Sequence, residues 1–366
     1  MNDLSPAESY WVWLSSIDGV FARWFYVLQG VYLEPRTVYE RSNDILKDIP
    51  NFPPKIAKAI REASCSCYFD SLFETIRTKK LSVTTAVSSD YPYTLHVLPD
   101  PPPVLYYKGV LPKLWDRSIS MVGTRRPTRG GEKFVRQLAS KIAAQDVLIV
   151  SGMARGIDTA AHLGALDACG HTVAVLGCGA DRVYPKENQA VCEQIIQNGA
   201  VISEFRPDTP PIAENFPRRN RIIAAISAAT VVAEGGGKSG ARITADIALS
   251  LGKQVFAIPC EPGSNVSDLP ISLLKSGAPI LSEAEDLMEN MGWKACAFKN
   301  KKENKKALGL DFFQEQIYNS LLKGDLTAEQ LADRLEVPVG QVNSALTIME
   351  LLDAVERLPG NSYCIK

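Results

Sequence analysis

With three histidines, no C-x-x-C cysteine pair and no long apolar run, this 366-residue chain is limited first by what it lacks. A bilayer-spanning helix needs roughly 18 or more consecutive apolar residues, and no stretch approaches that length. The opening MNDLSPAESYWVW has no basic patch followed by an apolar run, so no signal peptide is expected, and a cytoplasmic location with no membrane partner follows as the expectation. Eight cysteines (Cys65, Cys67, Cys169, Cys178, Cys192, Cys260, Cys296 and Cys364) are scattered rather than paired at zinc-ligand spacing. Free thiols in a reducing compartment, with no structural metal and no cofactor, are the expectation. A large excess of positive charge is absent as well: the net charge is −1, so a nucleic-acid partner would have to be held by a local patch.

What is present suits a multi-segment globular protein, at 46% hydrophobic and 22% charged residues. Residues 1–85 carry apolar positions at helical spacing through Tyr10–Leu28, Thr37–Leu46 and Lys55–Ala63, predicting a helical segment. Its turns Ile17-Asp18-Gly19-Val20 and Ile49-Pro50-Asn51-Phe52 are like those of SAM/helix-hairpin-helix modules, although Asn51 stands where glycine would be wanted. The segment is not notably basic, and a structural role is expected for it.

Across residues 86–293 the pattern changes to β-rich apolar runs alternating with helix-length segments. Ile119–Gly123, Val147–Ser151, Thr172–Gly177, Val201–Glu204, Thr230–Glu234, Gln254–Pro259 and Pro279–Ser282 read as strands. Glu132–Gln145, Ile157–Cys169, Glu187–Asn198, Pro217–Ser227 and Gly240–Leu251 read as helices. Runs such as Val173-Ala174-Val175-Leu176 are apolar without alternation, as strands covered on both faces are. The alternation predicts an α/β fold, a Rossmann-like, doubly wound, mainly parallel sheet. Residues 294–310 form a lysine-rich linker with six lysines (Lys294, Lys299, Lys301, Lys302, Lys305, Lys306) against Glu303. Residues 311–366 read as three helices and a hairpin about Pro359-Gly360-Asn361, a winged helix with nine acids and four bases.

In such a sheet ligands bind beyond the carboxyl ends of the strands, and the loops there are rich in glycine. They are Val122–Pro127, Ser151–Asp158, Gly177–Asp181 and Glu234–Gly240. Glycine lets backbone approach a phosphate, and a helix start offers oriented N–H groups. Four such loops on one sheet edge, with Arg125 and Lys186 reachable from that side, predict an anion-binding crevice. The common nucleotide fingerprints fail: Val232 stands where a Walker A glycine is required, and no G-x-G-x-x-G follows the first strand. His162 and His171 flank a helix without a serine partner, while Asp158 and Glu234 are isolated and suited to anchoring loops. A crevice without an evident base, nucleophile or metal predicts binding without turnover, not an enzyme.

The motifs then become specific. Tyr91-Pro92, Asp100-Pro101-Pro102-Pro103 and Gly109 lead to Val122-Gly123-Thr124-Arg125. SGMARGIDTAAHLGAL (Ser151–Leu166), YPKEN (Tyr184–Asn188), Ser203-Glu204, FPRRNRIIAAIS (Phe216–Ser227) and SGARITADIA (Ser239–Ala248) follow. In order and spacing the chain resembles the DprA/Smf family over about two hundred residues, and its flanking segments are similar to that family's accessory domains. The resemblance implies single-stranded DNA binding, promotion of RecA loading in homologous recombination and natural transformation, and a homodimer. Carried over by motif, Arg125 would be the main phosphate ligand and Lys186 the second. Gly123, Thr124, Ser151, Gly152, Gly156, Ser239 and Gly240 would shape the pocket and donate hydrogen bonds, and Arg126 would assist. Arg219 and Arg221 would either face the pocket or brace its loops from behind.

The chain departs from the family in the loop after the sixth strand, where Leu269 and Ile271 occupy positions the family gives to glycine and an amide. If that loop closes the pocket, grip is weaker there. The winged helix's expected recognition helix, Pro338–Asp353, has no lysine or arginine, which predicts protein docking rather than base readout. The glycine loops hold few aromatics, so base stacking is expected to contribute little. The rival reading is a nucleotide-processing enzyme like the phosphoribohydrolases. That family wants a glutamate shortly after its Gly-Thr pair, where this chain has Ser239-Gly240-Ala241-Arg242-Ile243.

Overall fold

The computed structural model describes residues 4–237, 239–294, 311–321, 326–335, 337–352, 354–357 and 362–365. Lys238, the lysine-rich linker beyond Lys294, Cys296 and the Pro359-Gly360-Asn361 turn lie outside the described residues. The chain divides into two units, residues 1–295 and 296–366.

The first unit begins with six helices: α1 (Pro6–Ser15), α2 (Ala22–Tyr32), α3 (Pro35–Glu40), α4 (Ile45–Asp48), α5 (Pro54–Ala63) and α6 (Ser66–Thr78). The start of α1 is fixed by a reciprocal cap. The Glu8 N–H donates to Ser5 Oγ at 3.3 Å and the Ser5 N–H donates to Glu8 Oε2 at 2.9 Å. In the two hairpin-like turns Gly19 has φ +87° and Asn51 has φ +60°. Asparagine tolerates the left-handed region better than most residues, so Asn51 fills the place expected of glycine.

The sheet holds β1 (Ser82–Thr85), β2 (Val104–Gly109), β3 (Ser118–Val122), β4 (Leu148–Ser151), β5 (Thr172–Val175), β6 (Gly199–Ser203), β7 (Ala229–Val232) and β8 (Gln254–Ala257). Their order is β1-β2-β6-β5-β4-β3-β7-β8. β3 to β8 pair in parallel, while β1 pairs antiparallel with β2 and β2 antiparallel with β6. The two antiparallel strands were not expected; β1 falls inside the stretch read as helical. Pro279–Ser282, read as a strand, contributes an isolated bridge from Ile280 to Ala257.

Residues of one strand alternate between two buried layers, as the period of a strand requires. Leu148 and Val150 pack with α10 (Asn215–Ile226) and α11 (Gly240–Ser250). Ile149 packs with α7 (Arg129–Ala143) and α8 (Ile157–Asp167) on the opposite face. The helical front segment shares a core with the antiparallel edge, where Trp13, Phe25 and Leu28 join Val83, Val104 and Tyr106. At about 1.5–3 kcal/mol for each fully buried large apolar side chain, this shared core holds the front segment to the sheet.

After β3 the chain winds out through β4, β5 and β6; β7 and β8 lie on its other side. The order therefore reverses between β3 and β7. α7, which follows β3, and α11, which follows β7, pack on opposite faces, so the loops feeding them part and leave a crevice.

The second unit is a winged helix. It contains α14 (Phe312–Leu321), α15 (Ala328–Leu335) and α16 (Val339–Leu351), which follow α9 (Gln189–Asn198), α12 (Asp268–Lys275) and α13 (Ala284–Met291) of the first unit. A sheet of order β10 (Val355–Arg357), β11 (Ser362–Ile365), β9 (Leu326–Thr327) completes it. Its core gathers Ile317, Tyr318, Leu331, Val342, Leu346 and Met349. The outer face of α16 presents Gln341, Asn343, Ser344, Thr347, Ile348 and Leu351, with no basic residue.

Candidate nucleic-acid interface

Two backbone-to-loop ties set the crevice at the reversal point. The Thr124 N–H donates to the Glu234 carbonyl at 2.6 Å, and the Thr128 N–H donates to Glu234 Oε2 at 2.7 Å. Glu234 thus joins the loop after β3 to the loop after β7, which is the anchoring role expected of it. Gly123 is required there, because a Cβ would meet Ile157 at 2.5 Å and the Glu234 carbonyl at 2.9 Å. Gly156, at φ +76°, starts α8 so close to the same loop that a Cβ would fall 2.5 Å from the Thr124 carbonyl.

The resulting crevice has a volume of about 730 Å³. Gly123, Thr124, Arg125 and Arg126 line it from the loop after β3, Asp158 and Arg219 from α8 and α10, and Ser239 and Gly240 from the N-terminus of α11. Arg125 and Arg126 are exposed and have no ion-pair partner among the described residues. Two other arginines nearby are committed: Arg155 to Glu187, and Arg242 to Asp246 at 3.1 Å. Arg125 lies over the Phe216 ring at 5.5 Å, a contact that holds the guanidinium without neutralising it. Ser239 Oγ is buried and has no hydrogen-bond partner among the described residues.

Arg219 forms the floor. It is 4% exposed and donates through Nη1 to the carbonyls of Gly152, at 2.7 Å, and Val175. Burial lowers its pKa to about 10, which leaves it charged at neutral pH. Asp158 accepts from the N–H groups of Gly152 at 3.1 Å and Ala154 at 3.3 Å. Burial holds its carboxyl above the ordinary range, opposed by Arg219 and by those two N–H groups. The N–H and carbonyl of Gly152 are therefore engaged within the protein. Ser151 is likewise occupied, donating to the Met121 carbonyl at 2.6 Å. Ser151 stiffens the loop without lining the crevice, while Gly152, its polar groups engaged, lines only the small adjoining cavity beside Arg125, Tyr184 and Phe216.

Lys186 is exposed with no ion pair among the described residues, two positions along from the crevice-lining Tyr184, but it does not itself line the crevice. Arg221 is elsewhere altogether: it pairs with Glu204 at 2.5 Å and donates to the Asp100 carbonyl at 2.6 Å. Of the two readings for this pair of arginines, both brace; Arg219 alone also touches the crevice.

Sequence reasoning missed the aromatic wall. Tyr184 and Phe216 line the crevice with ring centroids 5.5 Å apart and planes at 42°. Tyr184 is 40% exposed, so stacking surface is available where little was expected. Neither residue lies in a glycine loop, and the only sequence signal was their place in YPKEN and FPRRN. Asn220 also lines the crevice and donates to the Gly240 carbonyl at 3.2 Å, steadying the start of α11. In the departed loop Leu269 is fully buried, its N–H donating to the Gly235 carbonyl at 2.9 Å. It seals the glycine loop from behind, and residues 259–271 contribute nothing to the crevice lining.

His162 is buried against Thr172, with Nδ1 2.7 Å from Oγ1. The Thr172 hydroxyl donates to the Ile149 carbonyl, so the proton on that contact belongs to Nδ1. His171 bonds the Asn198 carbonyl at 3.0 Å. Both are structural.

Residues 82–292 match the family described as DNA recombination-mediator protein A, and residues 306–361 match the DprA winged helix domain. Protein Smf of Synechocystis is 33% identical over 296 residues, covering 78% of this chain and 73% of that protein. The X-ray structure of DNA processing protein A from Streptococcus pneumoniae superposes with a TM-score of 0.65 at 29% identity, covering 78% of this chain and 98% of that one. A structure of the Helicobacter pylori protein, described for its single-stranded DNA binding mode, gives a TM-score of 0.53 at 29% identity over 59% of this chain and 98% of that one.

Proposed function

The chain belongs to the DNA recombination-mediator protein A family, and from that premise we propose that its crevice grips single-stranded DNA without sequence preference. One observation carries the reading: Arg125 and Arg126 line the crevice unpaired at the reversal point of the sheet, while Arg155 and Arg242 beside it are held by Glu187 and Asp246. Phosphate would complete the pair and meet the N-terminus of α11, where aligned N–H groups favour an anion. Tyr184 and Phe216 would stack on bases, which is tolerant of sequence because every base has a π face. Lys186 would reach the next phosphate along the strand, and Ser239 would donate through its unpartnered hydroxyl. The binding involves no turnover, since Asp158 and Glu234 are occupied in holding loops.

On this reading the protein works in the cytoplasm as a homodimer, protecting strands and promoting RecA assembly on them during recombination and transformation. Residues 86–293 bind the strand, and the acidic module 311–366 docks protein. The test is binding of the full chain to single-stranded and duplex oligonucleotides of equal length, followed by the rate of RecA assembly on the bound strand. Single-strand preference with faster RecA assembly is expected. Release of free base from nucleoside monophosphates, with no strand preference, would favour a nucleotide-processing enzyme instead.

A further inference from the structure

Cys65 and Cys67 stand apart from the other described cysteines. Cys178 and Cys192 are buried, and burial pushes their thiols up to about 11, the behaviour of inert core sulfur. Cys67 is exposed and Cys65 half-buried, and both are free. Their Sγ atoms are 2.6 Å apart. That is inside the contact distance of unbonded sulfurs and only about half an ångström beyond a disulfide bond.

The backbone explains the meeting. Cys65 is the cap of α6, extended at φ −140° and ψ 153°, and its sulfur accepts from the Tyr68 N–H at 3.4 Å. Cys67 lies in the first turn, so the two side chains meet at the helix mouth. Hydrogen bonds from Cys67 and from the Tyr68 N–H hold the Cys65 thiol below its ordinary range, while the bond to Cys65 holds Cys67 above it. One sulfur is thus prepared as nucleophile and the other waits beside it.

We propose that Cys65 and Cys67 form a redox-active dithiol that exchanges with low-molecular-weight disulfides and closes a Cys65–Cys67 bond. In the first step the Cys65 thiolate attacks one sulfur of the disulfide, its S–S bond breaks, and one thiolate leaves. Cys67, giving up its proton, then attacks the Cys65 sulfur of the mixed disulfide and expels the second thiolate. The two leaving thiolates take up the two protons lost by the cysteines. The protein is oxidised by two electrons and the small disulfide is reduced to two thiols. None of these residues lines the crevice, so the site is separate from DNA binding.

The full-length protein would be equilibrated with reduced and oxidised glutathione at a series of ratios, quenched in acid and digested. The mass of the peptide containing both cysteines is then read. Wild type should lose two hydrogens reversibly and carry no adduct. Cys67→Ser should trap one glutathionyl group on Cys65. Cys65→Ser, which keeps a good helix cap, should leave Cys67 to react at least several-fold more slowly. A wild-type peptide that stays a dithiol, or that collects only glutathione adducts, overturns the proposal, as does a Cys65→Ser protein that reacts as fast as wild type.

Discussion

Removing the Arg125 guanidinium should weaken strand binding and flatten its salt dependence together. Arg125 is exposed, lies over Phe216 and has no carboxylate partner among the described residues, so its charge is available to a phosphate. A hydrogen bond between charged groups contributes about 1.5–3 kcal/mol, and Arg125→Ala should therefore cost roughly tenfold to somewhat over a hundredfold in affinity. Each phosphate neutralised on a single strand adds about −0.7 to the slope of log affinity against log salt. With Arg125, Arg126 and Lys186 all engaged the slope should be near −2, and near −1.4 in the variant. Anisotropy titrations of a labelled oligonucleotide over a salt series read both quantities. Arg242→Ala is the matched control, since that side chain is on α11 but already paired with Asp246. An unchanged slope in Arg125→Ala, or an equal loss in Arg242→Ala, would refute the reasoning.

Four further outcomes follow from the same geometry. Tyr184→Ala should cost about 1–3 kcal/mol of strand affinity with no change in salt slope, because stacking releases no counterions; the same titrations check it. Gly156→Ala, forced to positive φ with a Cβ against the Thr124 carbonyl, should lose about 1–3 kcal/mol of stability by urea unfolding and distort the Arg125 loop. Arg221→Ala should cost about 1.5–3 kcal/mol in the same assay, since Glu204 loses its 2.5 Å partner and keeps only Arg218 at 3.1 Å. The fourth concerns pH: burial lowers the His162 pKa to about 3, against about 6.5 unfolded, so the neutral ring's stability is fully present above 6.5. As pH falls below 6.5 only the unfolded chain takes up the proton, and stability drops by up to about 1.4 kcal/mol per pH unit. His162→Gln should remove that part of the slope.

What the sequence disclosed depended on whether a feature was local. β4 and β5 were legible because both their faces are covered and their apolar runs are unbroken. β1 was not: Ser82-Val83-Thr84-Thr85 is short, and it is a strand only because β2 pairs with it at the sheet edge. The glycine loops marked the crevice, yet not which of their groups were free. Ser151 and Gly152 look identical in kind to Ser239 and Gly240 until their hydrogen bonds are traced. Arg219 and Arg221 are two residues apart on α10 and project about 200° apart, so one reached the crevice floor and the other Glu204. Tyr184 comes from the loop before α9 and Phe216 from the first turn of α10, and only the tertiary fold makes them neighbours. Leu269 read as a loss of grip because its burial beneath Gly235 could not be seen in one dimension.

The claim that the crevice is the strand site is tested most directly by photocrosslinking a 5-iodouracil oligonucleotide to the full chain and mapping the attached peptides. The account predicts attachment at Tyr184 and Phe216, abolished by excess unlabelled single strand. Attachment confined to residues 294–366, with those two rings untouched, would contradict it.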